Sequence, residues 1–104
     1  LTKQNKAVYP TEDEEVYHKI LQRRRQILVH SYIYYELDDS LVEDSKWSKW
    51  ARELVDLQKS YKDISKGVPY YEDFKDFDAS TGFDFKYDEK TKKRAEMLLS
   101  MRGE

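Results

Sequence analysis

Thr11-Glu12-Asp13-Glu14-Glu15-Val16-Tyr17-His18-Lys19-Ile20 opens a segment that neither Gly nor Pro interrupts before Gly67. A Thr with Glu three positions on is the capping-box pattern, in which each side chain accepts the other residue's backbone N–H. Four acids in the first turn suit the positive end of a helix dipole. Val16, Ile20, Ile27 and Tyr34 then recur at helical spacing, and Leu21, Leu28, Tyr32 and Tyr35 widen the stripe. The spacing predicts a first helix over 12–36.

Outward from this helix, Leu37-Asp38-Asp39-Ser40 breaks the pattern with turn-forming residues. Asp44 or Ser45 can cap a second helix over 45–66, with Trp47, Trp50, Ala51, Leu54, Leu57, Tyr61 and Ile64 on its apolar face. Gly67 and Pro69 close it. A short connection between two such helices predicts an antiparallel hairpin, with Ile20, Ile27 and Leu28 facing Leu54, Leu57 and Ile64. Residues 68–87 read as an aromatic-acidic loop, with a short β-ribbon where Phe83, Phe85 and Tyr87 alternate. A third helix is expected over 88–101, its apolar side being Ala95, Leu98, Leu99 and Met101. The whole reads as one mainly α domain over 1–104: a polar arm 1–10, a helical hairpin 11–66, and a loop with a C-terminal helix over 67–104.

Composition narrows the function classes. Without cysteine there is no disulfide framework, thiolate metal site or cysteine nucleophile. No apolar run approaches the ~18 residues of a membrane span, and the start, Leu1 to Lys6, has no apolar core behind its charge, so a cytoplasmic protein is expected. The 19 basic residues are balanced by 21 acidic ones, so no overall pull toward nucleic acid is expected. Arg23-Arg24-Arg25 is the densest basic spot, but successive helical residues point ~100° apart. The expected reading is a solvated face with ion pairs to Glu14, Glu15 or Asp56; nucleic-acid binding by this helix is a third functional reading.

Catalytic machinery is not evident. His18 and His30 lack a Ser or Asp at triad spacing, and Gly67, Gly82 and Gly103 are too isolated for a phosphate loop. A non-enzymatic protein is expected. Asp76-x-Asp78-x-Ser80-Thr81-Gly82 has oxygen ligands two apart, as in a calcium loop, but its Gly is a place late and Tyr87 stands where a bidentate Glu belongs. No metal is expected there.

The informative cluster is the join of the two helices, His30-Ser31-Tyr32-Ile33-Tyr34-Tyr35-Glu36-Leu37-Asp38 through Asp44 to Trp47-Ser48, followed by Arg52-Glu53-Leu54. Rings and acids at such a corner can hold a flat cationic ring; plain hairpin packing is the bland alternative. The stretch 17–66 resembles the N-terminal helical-hairpin (Ia) domain of bacterial NAD-dependent DNA ligases, whose pattern is His-x-Tyr-x-Tyr-Tyr-x-Leu-Asp, a short loop ending in Asp, x-x-Tyr-Asp, and Arg-Glu-Leu. That domain closes over the nicotinamide mononucleotide (NMN) half of NAD during enzyme adenylation. The resemblance implies nucleotide-contacting roles for Tyr34, Tyr35, Asp44 and Trp47, with Trp47 replacing the family's Tyr and Ser48 replacing an Asp. The Lys-x-Asp-Gly adenylation motif is absent from this sequence.

The stretch Asp76 to Phe83 is similar to endings of small phage and prophage proteins that carry this hairpin alone. The leading expectation is therefore a non-enzymatic accessory protein that binds a host or phage protein, without membrane or nucleic acid. Its surface would be Tyr70, Tyr71, Phe74, Asp76, Phe77, Asp78 and Phe83, because aromatic residues dominate interface cores. The alternative is a module that binds NAD or NMN at the helix corner.

Overall fold

The computed structural model describes residues 11–82 and 84–102. The polar arm 1–10 and Phe83 lie outside the described residues. The protein is mainly helical, with α1 (Glu12–Glu36), α2 (Asp44–Ser60), α3 (Lys62–Lys66), α4 (Tyr71–Phe74) and α5 (Glu89–Ser100). The capping box forms as the sequence predicts: Thr11 Oγ1 accepts from Glu14 N at 3.1 Å, and Glu14 Oε1 accepts from Thr11 N at 2.9 Å.

α1 is covered from two directions, which is why its apolar stripe is wide. Val16, Ile20, Ile27 and Leu28 pack with Ala51 and Leu54 of α2, with Leu57 and Ile64 beside them, so the expected hairpin faces meet. Val29 and Ile33 face another way, onto Ala95 of α5, with Tyr32, Leu41 and Leu99 around them. Asp88 caps α5, its Oδ1 accepting from Thr91 N at 2.8 Å and its Oδ2 from the Tyr70 hydroxyl at 2.8 Å. The inward face of α5 is Thr91, Ala95 and Leu99, four apart; Leu98 and Met101, expected inside, are exposed. Ala95 and Leu99 make the contact with Val29 and Ile33 of α1, which leaves the other side of α5 in solvent.

The second helix departs from expectation in its last turns. It breaks at Tyr61 (φ −130°, ψ 60°) and resumes as α3. The chain on both sides of this break folds around Arg24, which is fully buried on α1 at 0% exposure. Its Nε donates to Gln58 Oε1 at 2.9 Å. Nη1 donates to the carbonyls of Val68 (2.9 Å) and Pro69 (3.1 Å). Nη2 donates to Ser65 O at 3.3 Å and Ser65 Oγ at 2.7 Å. These bonds engage all five guanidinium N–H groups. The carbonyls of Ser65, Val68 and Pro69 cluster about the C-terminal end of α3, where a cation is favoured. Burial pulls the Arg24 pKa down to about 10, against the opposing fields of Tyr71 and Asp73, so it stays charged at neutral pH.

That placement corrects the basic-face reading of Arg23-Arg24-Arg25. Arg24 is core. Arg23 Nε pairs with Glu53 Oε1 at 2.9 Å, rather than with Glu14, Glu15 or Asp56, and its guanidinium lies 6.0 Å from the Trp50 ring centroid. Only Arg25 of the three is exposed, too little for a phosphate-tracking stripe.

The aromatic-acidic segment is also corrected. Phe74 is fully buried, Phe77 is half-buried, and with Phe85 they form a cluster with centroids 4.7 to 5.7 Å apart. Phe74 and Phe77 are three apart, a helical spacing, and α4 forms there in place of open loop. No strand occurs among the described residues, so the ribbon is not formed. Phe85 and Tyr87 alternate because Phe85 joins this cluster while Tyr87 packs edge-on to Tyr32 at 5.1 Å. Burial first, then the charge of Glu36, pushes the Tyr87 hydroxyl pKa up to about 12.

Candidate functional site

The α1–α2 corner encloses a cavity of about 280 Å³. The last turns of α1 supply His30, Ser31, Tyr34 and Tyr35, two pairs each four apart and so on one side of the helix. The connection supplies Ser40, Leu41 and Val42, and the start of α2 supplies Asp44, Trp47 and Ser48. The fourth wall, Ser80 and Thr81, comes from the segment before α5. Tyr34, Tyr35, Asp44 and Trp47, singled out in the sequence, therefore share one cavity, with Ser48 beside them.

Local chemistry explains the placement. Asp38 turns the chain out of α1 with φ 54°, a left-handed conformation that Asp tolerates. The Asp39 N–H then returns to Ile33 O at 3.0 Å. The Asp39 carboxylate takes Ser40 N at 2.7 Å and the Arg102 guanidinium at 3.0 Å, which tie the connection to the end of α5. The Ser40 N–H first, then Arg102, hold its carboxyl below the usual range. Ser40 Oγ donates to Val42 O at 2.8 Å. The residue before α2 is Glu43, which makes no side-chain cap bond. Asp44, expected as a cap, is instead the first residue of the helix and lines the cavity.

Trp47 is fixed by two contacts: its Nε1 donates to Ser31 Oγ at 3.2 Å, and Phe77 meets it edge-on at 6.3 Å. Tyr34 is 55% exposed and stands perpendicular to Tyr35 at 4.9 Å. The hydroxyls of Tyr35 and Thr81 are 3.0 Å apart, in hydrogen-bond contact. Gly82 makes the fourth wall fit, because a Cβ there would collide with the Ser31 side chain. The Gly82 carbonyl accepts from Tyr87 at 3.2 Å.

His30 sits at the inner end. Burial, reinforced by the charge of Lys46, lowers its pKa, so the ring is neutral at pH 7. Its Nδ1 is buried with no hydrogen-bond partner among the described residues, and its ring lies 5.5 Å from Trp50.

The second set of sequence candidates is placed differently. Tyr70 is half-buried and bonded to Asp88, Tyr71 is half-buried, and Phe74 has no exposed surface to offer a partner. Asp76 and Asp78 are exposed. Asp78 Oδ1 accepts both the Ser80 hydroxyl (2.6 Å) and the Ser80 N–H (3.0 Å), which hold its carboxyl below the usual range. These residues thus prop the cavity: Phe77 backs Trp47 and Asp78 orients Ser80. Sequence reasoning missed the lining roles of Ser80 and Thr81. Their one signal was the turn-forming Gly82 that follows them.

Comparison with known proteins finds similarity over about half of the chain. Fifty-one residues, 49% of this chain, are 37% identical to the DNA ligase of Desulforudis audaxviator, of which they cover 8%. The DNA ligases of Pseudothermotoga lettingae and Thermotoga petrophila are each 31% identical over 51 residues, covering 8% and 7% of their lengths. The similarity lies in the N-terminal region of the ligases. The chain thus spans less than a tenth of the length of these relatives. No family model matches the chain, and no solved structure matches it significantly. Among the described residues, no helix is long and apolar enough to cross a membrane.

Proposed function

We propose that this protein is a non-catalytic module that binds the nicotinamide-bearing part of NAD-type nucleotides at the α1–α2 corner. The observation that carries this reading is the convergence of Tyr34, Tyr35, Asp44 and Trp47 on one cavity, in a chain whose similarity is to the N-terminal region of DNA ligases. The chemistry suits a flat cation: an indole face attracts it, and a carboxylate compensates its charge. A cavity of about 280 Å³ is at the small end of ligand sites, which run from about 300 Å³ upward. Weak binding is expected, near millimolar, or about −4 kcal/mol.

The test is a titration of the folded chain with NAD and with NMN, followed by backbone and indole NMR signals. Shifts are expected at Tyr34, Tyr35, Asp44 and the Trp47 indole N–H. An unchanged spectrum at several-millimolar ligand refutes the proposal.

A second reading, an accessory protein of phage type that binds a host protein, is favoured by a different surface from the aromatic segment. Met97 is 62% and Met101 70% exposed, beside exposed Leu98 on α5, and neighbouring apolar side chains in solvent suit an interface. Capture of a defined host protein by the wild type, abolished by Met97→Lys with Met101→Lys, supports it; capture unchanged by that pair refutes it.

A further inference from the structure

We propose that a second concavity, where α2 runs into α3, binds the diphosphate group of a small ligand. It encloses about 260 Å³ and is lined by Lys59 of α2, Lys62 and Lys66 of α3, and Lys75 just after α4. It lies at the other end of α2 from the corner cavity and shares no lining residue with it. The site is independent of the nicotinamide reading.

Behind this concavity is a buried charge without a counter-ion. Arg24 donates only to neutral acceptors: Gln58 Oε1, Ser65 O and Oγ, and the carbonyls of Val68 and Pro69. Buried charges are as a rule paired, yet no carboxylate makes an ion pair with Arg24 among the described residues. Two of its partners, Gln58 and Ser65, also line the concavity. Ser65 is only 4% exposed. Its Oγ accepts from Arg24 Nη2 at 2.7 Å, so its own O–H is left to give, and that O–H meets no acceptor among the described residues. A hydroxyl that accepts from a guanidinium is polarised toward donating. Ser65 thus relays the charge of Arg24 to whatever occupies the concavity, and an anion is what it suits.

The four lysines set the class of anion. No Asp or Glu stands among the described residues that line the concavity. Lys75 is paired with Glu72 at 2.8 Å, whereas Lys59, Lys62 and Lys66 make no ion pair among the described residues. A single phosphate group carries about −1.5 to −2 at neutral pH, so three unpaired ammoniums call for two linked phosphates. Lysines bind phosphate as point charges, while a planar carboxylate is best met by a guanidinium fork. Arg24 has no N–H left for such a fork. The same three helices carry Asp56, Asp63, Glu72 and Asp73 outside the lining, which opposes a long polyanion such as a nucleic-acid strand and favours a compact one.

The experiment titrates the intact chain at low salt with inorganic pyrophosphate, with adenosine diphosphate and with a short DNA single strand, read by calorimetry and by backbone amide NMR. Pyrophosphate should bind and should move the amide signals of Ser65, Lys66 and Tyr71 while leaving those of Tyr34 and Thr81 at the corner in place. Lys62→Gln with Lys66→Gln, both exposed, should weaken it at least about tenfold, since bonds from charged donors are lost. Lys90→Gln with Lys93→Gln, the same charge change on exposed positions of α5, should leave it unchanged. Tighter binding of adenosine diphosphate than of pyrophosphate assigns the group to a nucleotide, and the reverse order assigns it to the bare anion; both support the site. Equal weakening by the two lysine pairs, or signals that move only away from Ser65, overturns it. So does a spectrum unchanged at several-millimolar pyrophosphate. A DNA strand that binds more tightly than both small probes, with a steep salt dependence, overturns the compact ligand in favour of a phosphate backbone.

Discussion

Replacing Arg24 by Met removes a guanidinium from the core while keeping an unbranched side chain along its path. The loss is then mainly polar. The Ser65 and Val68 carbonyls are bonded to Arg24 in buried surroundings, and a buried acceptor left unsatisfied costs about 1–3 kcal/mol. The Pro69 carbonyl and Gln58 are partly open, so water can replace the arginine there at small cost. Ser65 Oγ, which accepts from Arg24, loses that donor but keeps its own O–H to give. Relief from burying a charge trims the total, giving an expected loss of about 2–4 kcal/mol. That is a large part of the 5–15 kcal/mol of a typical domain, by order of magnitude about a third. Urea unfolding should show a lower midpoint with little change in slope. Arg24→Lys should recover only part, since an ammonium cannot reproduce the planar fork. Arg25→Met, at an exposed position, should stay within about ±0.5 kcal/mol. If Arg24→Met also falls in that range, the buried-arginine account of α3 and its terminus is wrong.

Two further predictions concern the core and the cavity. Leu54→Ala removes a fully buried side chain between α1 and α2 and should cost about 2–5 kcal/mol in the same unfolding assay; a surface-sized effect would mean that α2 presents another face. His30 has a folded pKa below its ordinary 6.5, so below that pH the unfolded chain binds the proton more readily. Stability should therefore fall as pH drops from about 7.5 to about 5.5 by more than in His30→Gln, and parallel pH profiles of the two proteins would show that the ring carries no such linkage.

The features legible in the sequence are those set by near neighbours. The capping box needs only Thr11 and Glu14, and the hairpin contact follows from apolar spacing repeated over two long segments. The corner cavity was legible because Tyr34, Tyr35, Asp44 and Trp47 fall within fourteen residues and on two helices whose direction the turn determines. What was not legible depends on distant partners. Three consecutive arginines look alike in a sequence, yet one meets carbonyls more than forty residues away. Phe74 and Phe77 read as an exposed patch beside Asp73, Asp76 and Asp78, because nothing local says that α2 and Phe85 leave room for them. Leu98 and Met101 have apolar side chains, but the line of contact with α1 runs through Thr91, Ala95 and Leu99.

The wall formed by Ser80 and Thr81 makes the cavity a product of the chain's long-range closure. Thr81 is 46 positions from Tyr35, and bringing such distant segments together has an entropic cost that grows with the logarithm of the intervening length. A ligand that needs this wall binds only the closed arrangement, so its binding energy is shared with the closure. At a hundredfold excess over Kd this amounts to about 2.7 kcal/mol. Ligand occupancy should then slow amide exchange beyond the cavity itself, at the backbone around Gly82 and in the Phe74–Phe85 cluster behind it. Even a weak ligand would act in this way as a clasp on the part of the molecule that follows the hairpin.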